Sequence, residues 1–256
     1  MASTVSLEGV KKAVFFPFRG EKWGLKLLIG SVVSFASFII PIIPSIPMAG
    51  YFSRIMKGII VRDEDPEMPE WKDWGGLFME GLKLGGAVLI YFLPAFVLAA
   101  GGYILFMVLD LSFVVSASTA GANSSNPFSG VTLASGIGML VGIAIAMVGM
   151  VLMYVTLVFI PPAIGNLIAK DDFKAAFRFK EWWPVFKANL SGYVIALALA
   201  FGIFGIMYLA VIVLYASIVL CFLVPFAISA LGFVFGTLSF SLYALAYRDG
   251  VRKLAA

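Results

Sequence analysis

The sequence contains no histidine and only one cysteine, Cys221. Histidine is the side chain whose ordinary pKa lies nearest neutrality and the commonest transition-metal ligand, so both uses are excluded here. A single cysteine excludes an intrachain disulfide and a cluster of thiolate ligands. We therefore predict no metal site, no cofactor and no catalytic residues.

Charged residues are also scarce. Asp, Glu, Lys and Arg make up 12% of the 256 residues, whereas 62% are hydrophobic. Soluble domains carry about 25% charged residues. The composition therefore excludes a soluble enzyme, a disordered scaffold and a nucleic-acid-binding module. A net charge of +4 can indicate an acidic partner, but in so apolar a chain we interpret it first as a sign of membrane topology.

Four long stretches of the chain are almost free of charge. Since a transmembrane helix needs about 20 apolar residues, we predict an all-α polytopic membrane bundle. A run of small and polar residues between Ser116 and Gly130 is typical of a loop, and a tight turn is expected near Tyr215. The predicted transmembrane helices cover residues 84–109, 131–160, 190–214 and 218–247, the second of them ending at Pro161 and Pro162.

The 18 basic residues lie in four segments and are absent from the 116–130 loop and from the turn near Tyr215. Basic residues accumulate on the cytoplasmic side of membrane proteins. We therefore expect a multi-pass protein of the cytoplasmic membrane with both termini in the cytoplasm. Residues 61–83 and 161–189 are then cytoplasmic acidic and aromatic segments.

This orientation has a consequence for residues 25–60. If both flanking segments are cytoplasmic, the chain must enter the membrane and return, and Pro41, Pro44 and Pro47 would break the helix between the two arms. We predict a short or re-entrant helical hairpin. The alternative is one crossing with the N-terminus outside, which would place five basic residues on the wrong side.

Residues 1–24 have an amphipathic pattern, with Leu7, Val10, Val14 and Phe18 on one helical face. Such a helix lies in the membrane interface. A cytosolic helix packed on the bundle would have the same pattern.

Two aromatic segments of the chain are similar to each other. Aligning Trp74 with Trp182 also aligns Phe78 with Phe186, and both segments lead into a predicted transmembrane helix. Tryptophan favours the membrane interface, so we predict an internal repeat of interfacial segments. An aromatic binding cage is the functional alternative. The aromatic residues concerned are Trp71, Trp74, Phe78, Trp182, Trp183 and Phe186.

Several motifs resemble one known family. They are Phe16-Pro-Phe-Arg19, Gly50-Tyr51, Met68-Pro-Glu-Trp-Lys-Asp-Trp74 and Leu77-Phe-Met-Glu-Gly-Leu-Lys83. They are similar to those of the prokaryotic membrane proteins grouped as domain-of-unknown-function family 4013. The resemblance covers essentially the whole chain and implies a multi-helix membrane protein of bacteria or archaea. It implies no catalytic residues.

Glycines recur four residues apart at Gly138 and Gly142 and again at Gly232 and Gly236. Small residues let helices approach closely in lipid. The contact could form within one molecule or between two copies.

The segment 63–73 contains six carboxylates, with Lys72 the one basic residue among them. Carboxylates bind Ca²⁺ and Mg²⁺, but this spacing lacks the EF-hand pattern. We interpret the segment as a solvated loop, or as a surface for a basic partner.

Within the apolar stretches Asp110, at a helix end, is the one ionisable acid. Ion-coupled pumps and proton relays use such groups inside the membrane. We therefore predict a non-enzymatic structural, membrane-organising or accessory subunit. Its partners would be membrane lipids and a second copy or another membrane protein, and not nucleic acid. The alternative is a channel or transporter for a neutral or lipid-like solute, with its site at the broken hairpin.

Overall fold

The computed structural model of the protein describes residues 14–120, 130–217 and 220–256. Within these residues the secondary structure is helical, with seven α-helices and three short 3-10 turns. The α-helices are α1 Trp23–Ile39, α2 Ser45–Val61, α3 Trp74–Ala120, α4 Gly130–Lys170, α5 Phe179–Ala188, α6 Leu190–Ala216 and α7 Val224–Ala255. The 3-10 turns are Phe16–Phe18, Phe173–Phe177 and Cys221–Leu223.

Four helical segments of the described chain are long and apolar enough to cross a membrane. They are Trp74–Ser116, Ala134–Lys170, Leu190–Ala216 and Cys221–Ala255. Each overlaps one of the four predicted transmembrane helices. The prediction of an all-α membrane helical bundle is confirmed.

The chain divides into two packing units, which we describe separately. Unit 1 consists of Met1–Val88 with Ile160–Ala256, and unit 2 of Leu89–Phe159. Helices α3 and α4 contribute residues to both units.

Helix α7 is the centre of unit 1, where it packs against α1, α2, α5 and α6. Phe35 of α1 stacks on Phe226 at 4.7 Å, and Phe52 of α2 stacks on Phe240 at 5.0 Å. Phe233 of α7 is fully buried. Aromatic rings bury large apolar areas, so these contacts provide much of the packing in this unit.

Helices α1 and α2 form a hairpin. Along α1, Phe35 lies against Phe226 and Gly30 against Phe233, so α1 runs antiparallel to α7. Along α2, Phe52 lies near Phe233 and Phe240, and past its end the carbonyl of Glu64 accepts a hydrogen bond from Arg248. Helix α2 therefore runs parallel to α7 and opposite to α1.

The prolines of the hairpin have different positions. Pro41 and Pro44 lie between the two helices, whereas Pro47 is the third residue of α2. The first backbone N–H groups of a helix have no partner within it, so Pro47 removes no helical hydrogen bond. Pro47 is therefore not a breaker, contrary to its predicted role.

The predicted end of the second transmembrane helix at Pro161 and Pro162 is wrong, because α4 continues through both prolines to Lys170. A proline inside a helix costs about 3 kcal/mol. The next turns are tightly packed, with Ala163 and Ile164 fully buried. Tertiary packing of this kind overrides local helix propensity.

Other helix ends also differ from the prediction. Helix α3 begins at Trp74, ahead of the predicted residue 84, and α7 extends to Ala255, past the predicted residue 247. Residues 61–83 and 161–189 accordingly include parts of α3 and α4 and all of α5. The charged residues limit the apolar run, but they do not end the helical hydrogen bonding.

Unit 2 is an antiparallel hairpin of α3 and α4 joined through small residues. A Cβ atom on Gly102 would overlap the backbone of Ala146, and one on Gly142 would lie 2.8 Å from the nitrogen of Phe106. Four such contacts form a ladder: Ala99 with Gly149, Gly102 with Ala146, Phe106 with Gly142, and Leu109 with Gly138. Gly138 and Gly142 therefore pack within one molecule.

The expected interfacial helix over residues 1–24 lies largely outside the described residues. In the described part, Phe16–Phe18 form a 3-10 turn and Gly20 has a φ of 89°. The 3-10 turn and the left-handed glycine separate residues 16–20 from α1, which begins at Trp23, so one continuous helix to residue 24 is wrong. Residues 121–129 of the predicted loop and residues 218–219 of the predicted turn are also outside the described range.

Candidate functional site

Ion pairs cluster at one end of unit 1, where α2 and α4 end, α3 begins and α7 carries its last turns. Asp171 pairs with Lys83 at 3.1 Å and with Lys57 at 3.4 Å. The hydrogen bond from Lys83 is the main cause that lowers the pKa of Asp171. We call this region the charged end, defined by Arg54, Lys57, Asp63, Asp73, Glu80, Lys83, Lys170, Asp171, Arg178, Glu181, Arg248 and Arg252.

Arg54 connects the acidic segment to the start of α3. It pairs with Asp73 at 2.8 Å and with Glu80 at 3.4 Å, and it donates to the carbonyl of Lys72. Asp73 has a φ of 54° and accepts a hydrogen bond from the backbone N–H of Gly76 at 3.1 Å. Asp73 therefore caps α3, which explains why the helix begins at Trp74.

The buried tryptophan of the first aromatic segment is Trp71. It stacks on Tyr51 at 4.2 Å, and its Nε1 donates to the carbonyl of Lys26 at 2.9 Å. Tyr51 in turn donates to the carbonyl of Pro69 at 3.0 Å. Trp74 and Phe78, by contrast, are 48% and 39% exposed.

The second aromatic segment buries different positions. Trp182 is 2% exposed and donates from Nε1 to the carbonyl of Ala176 at 2.9 Å. Phe186 is also buried and packs 5.2 Å from Tyr193. The aligned residues Trp74 and Trp182 thus differ sharply in exposure. The internal repeat stays a prediction.

Two glycines explain which face of α3 is docked. A Cβ atom on Gly50 would overlap the carbonyl of Leu77, and one on Gly81 would overlap the carbonyl of Ile46. Backbone contact between α2 and α3 turns Leu77 and Leu84 inward, where both are buried. Trp74 and Phe78 consequently stay partly exposed, with the Trp74 ring 5.4 Å from that of Trp71.

A buried polar network joins α4, α5 and α7. Asn166 is 2% exposed, and its Nδ2 donates to the carbonyl of Ala175 at 2.8 Å and to Glu181 at 3.0 Å. The hydroxyl of Tyr247 donates to Oδ1 of Asn166 at 3.1 Å. Lys170, then Asn166, are the main causes that lower the pKa of Glu181 to about 2.

Asn189 holds the corner between α5 and α6 against α7. Its Nδ2 donates to the carbonyl of Ala246 at 2.9 Å, and its Oδ1 accepts a hydrogen bond from Lys253 at 2.7 Å. Neither Asn166 nor Asn189 is predicted as a functional residue from the sequence. A single asparagine in a connecting segment forms no periodic pattern that would indicate a buried role. The one available indication is that Asn189 directly follows the second aromatic segment.

A cleft of about 270 Å³ lies beside the start of α1. Charges of both signs line it, including Lys22, Lys26, Arg62, Glu64, Glu67 and Glu70. Two of these carboxylates form ion pairs, Glu64 with Arg62 at 2.7 Å and Glu70 with Lys72. In the described part of the chain, no group of three or more Asp, Glu or Cys side chains is placed to hold a metal ion.

An apolar groove of about 280 Å³ lies between α6 and α7. Phe204, Tyr208, Phe235 and Gly232 are among the residues that line it. A Cβ atom on Gly232 would meet open space, whereas one on Gly236 would overlap the ring of Phe52. Gly236 is therefore used for packing within the molecule, and Gly232 faces the groove.

Residues 33–216 match the family described as protein of unknown function (DUF4013). The chain belongs to the DUF4013 family. The DUF4013 match covers all of unit 2, the crossing at Gly50 and Gly81, and the network residues Asn166 and Glu181, but it ends before α7. No curated protein and no solved structure matches the chain at a significant level.

Proposed function

We propose that this DUF4013 protein is a non-enzymatic structural or accessory subunit of the cytoplasmic membrane. The observation that carries the proposal is the pairing of charges at the charged end. Asp171 is held by two lysines, and Asp63 by Arg248 at 3.3 Å and by Arg252. Catalysis and ion-coupled transport require ionisable groups that are open to a substrate, whereas these groups neutralise one another across helices.

The orientation is part of the proposal. Seven basic residues lie at the charged end, and basic residues favour the cytoplasm. The arms α1 and α2 have 17 residues each, which gives about 25 Å of helix, close to the ~30 Å of a hydrocarbon core. The charged end then faces the cytoplasm, and the hairpin enters the membrane from that side.

The test is the state of the full chain after purification in mild detergent and transfer to nanodiscs. We expect a defined oligomer, or a stoichiometric complex with another membrane protein that re-forms from its purified components. A monomer that by itself conducts solutes in proteoliposomes would overturn the proposal.

A second function, the handling of a lipid-like solute, is favoured by the groove between α6 and α7. Gly232→Leu would fill this groove. Gly205→Leu is the matched control, since Gly205 also faces open space but does not line the groove. Loss of bound lipid in native mass spectra for Gly232→Leu alone would support this function, and equal retention in both variants would contradict it.

A further inference from the structure

Helix α5 has two different faces. Trp182, Val185 and Phe186 point into unit 1 and are 2%, 6% and 5% exposed. Phe179, Lys180, Pro184 and Lys187 lie on the outer face and are exposed, and Trp183 is half-buried beside them. The inner face fixes the helix on the bundle, so the outer face is presented by a rigid support.

The outer face combines aromatic rings with cations. Phe179 stacks on Trp183 at 4.8 Å, and Nζ of Lys187 lies 5.1 Å from the centre of the Trp183 ring. Aromatic side chains with an apolar body and a polar tip favour the head-group level of a membrane. The ammonium group of a lysine above such a ring is attracted to the ring face and so stays close to it.

The outer face carries positive charge alone. The one carboxylate of α5, Glu181, is held by Lys170 at 2.8 Å, by Asn166 at 3.0 Å and by Arg178 at 3.5 Å. Lys180 and Lys187 pair with no carboxylate in the described part of the chain. The structure therefore removes the negative charge of this helix from the surface and leaves two lysines, seven positions apart, with no counter-ion.

The place of α5 in the chain matches this chemistry. Helix α5 ends at Ala188, and the apolar span of α6 begins at Leu190. Asn189 fixes the corner between them through its bond to the carbonyl of Ala246. If α6 crosses the membrane, the outer face of α5 lies at the level of the lipid head groups.

We propose that the outer face of α5 is a docking surface for anionic lipid head groups, with Lys180 and Lys187 binding the phosphates and Phe179 and Trp183 inserted between the head groups. Charge complementarity and the direct continuation into α6 argue for lipid as the occupant. This surface does not depend on the proposed subunit role.

The experiment is native mass spectrometry of the full chain in detergent, with equimolar phosphatidylglycerol and phosphatidylcholine of identical acyl chains. The wild type is expected to retain the anionic lipid preferentially. In Lys180→Gln/Lys187→Gln this preference should fall by about tenfold to thirtyfold, since each lysine near an anionic surface contributes about threefold to fivefold. Both lysines are exposed, so the variant should fold.

The matched control is Lys22→Gln/Lys72→Gln, which removes the same charge from two exposed lysines outside α5. It should keep the preference, and Lys180→Arg/Lys187→Arg should restore it. The proposal is overturned if the preference survives in the α5 variant, or falls equally in the control. It is also overturned if an acidic peptide competes with the lipid for the wild type, because the occupant would then be a protein.

Discussion

The hydroxyl of Tyr247 donates a hydrogen bond to Oδ1 of Asn166 at 3.1 Å, across 81 positions of the chain. Nδ2 of Asn166 donates to the carbonyl of Ala175 and to Glu181. Both polar atoms of this side-chain amide are therefore hydrogen-bonded within the protein. Asn166 and Tyr247 are both buried. The bond therefore attaches the end of α4 to α7 at a buried position, where water cannot replace the tyrosine as the donor.

Tyr247→Phe is expected to destabilise the protein by about 1–3 kcal/mol, because a buried oxygen of Asn166 loses its donor. The check is thermal unfolding in detergent. Tyr208→Phe provides the control, since Tyr208 is 57% exposed and should change the melting temperature little. Equal shifts in the two variants would show that the bond adds no stability.

Gly101 and Gly102 should respond to alanine with opposite signs. A Cβ atom on Gly102 would overlap the backbone of Ala146, whereas Gly101 faces open space. Gly102→Ala should cost about 1–3 kcal/mol by overpacking, and Gly101→Ala should gain up to about 1 kcal/mol from helix propensity. Hydrogen–deuterium exchange over residues 89–159 reports on this hairpin. Similar exchange in both variants would contradict the ladder of small residues.

Glu181 should make the stability depend on acid. Its pKa is lowered from 4.5 to about 2 in the folded protein, first by Lys170 and then by Asn166. Because the folded pKa is the lower one, the stabilisation is complete above pH 4.5 and is lost as the pH falls towards 2. Glu181→Gln should therefore flatten the loss of stability across this range.

The measurement is the melting temperature as a function of pH in a non-ionic detergent. Glu67→Gln is a suitable control, because Glu67 is an exposed carboxylate of the acidic segment 63–73, which lies outside the Asn166 network. If Glu67→Gln flattens the profile as much as Glu181→Gln does, the acid sensitivity does not arise in the Asn166 network.

Cysteine labelling tests the hairpin. In a Cys221→Ser background, Glu21→Cys and Glu67→Cys precede α1 and follow α2, and both positions are exposed. If α1 and α2 enter and leave from one side, a membrane-impermeant maleimide should reach both cysteines only after the cells are opened. Labelling of Glu21→Cys in intact cells would instead support a single crossing.

The long uncharged stretches between the charge clusters are sufficient to predict that the protein is a membrane protein and where its four long helices lie. The ends of those helices were not predictable in the same way. An apolar run shows where lipid contact is favourable, but the helix itself continues through Glu80 and Lys83 in α3 and through Pro161 and Pro162 in α4. In α4 the reason is long-range packing, which local sequence does not contain.

The choice between Trp71 and Trp74 as the buried ring shows the same difficulty. Both are predicted as interfacial aromatic residues, and the sequence alone does not indicate which of the two rings is buried. The outcome depends on Tyr51, which stacks on Trp71, and on Gly50, which sets the rotation of α3. Neither Asn166 nor Asn189 is predictable from the sequence, because each forms one of its hydrogen bonds with α7, Asn166 with Tyr247 and Asn189 with the carbonyl of Ala246. No local pattern indicates a partner so distant along the chain.

The central position of α7 sets the order in which unit 1 can assemble. Phe35 and Phe52 stack on rings between residues 226 and 240, and Tyr51 contacts Phe233 in addition to Trp71. This part of α7 is made after the six other helices. A chain interrupted before Val224 would contain those helices but lack the surface that they share. Unit 1 therefore cannot complete its packing until α7 has been made, and a truncation before Val224 would leave the hairpin of α1 and α2 without the helix against which it packs.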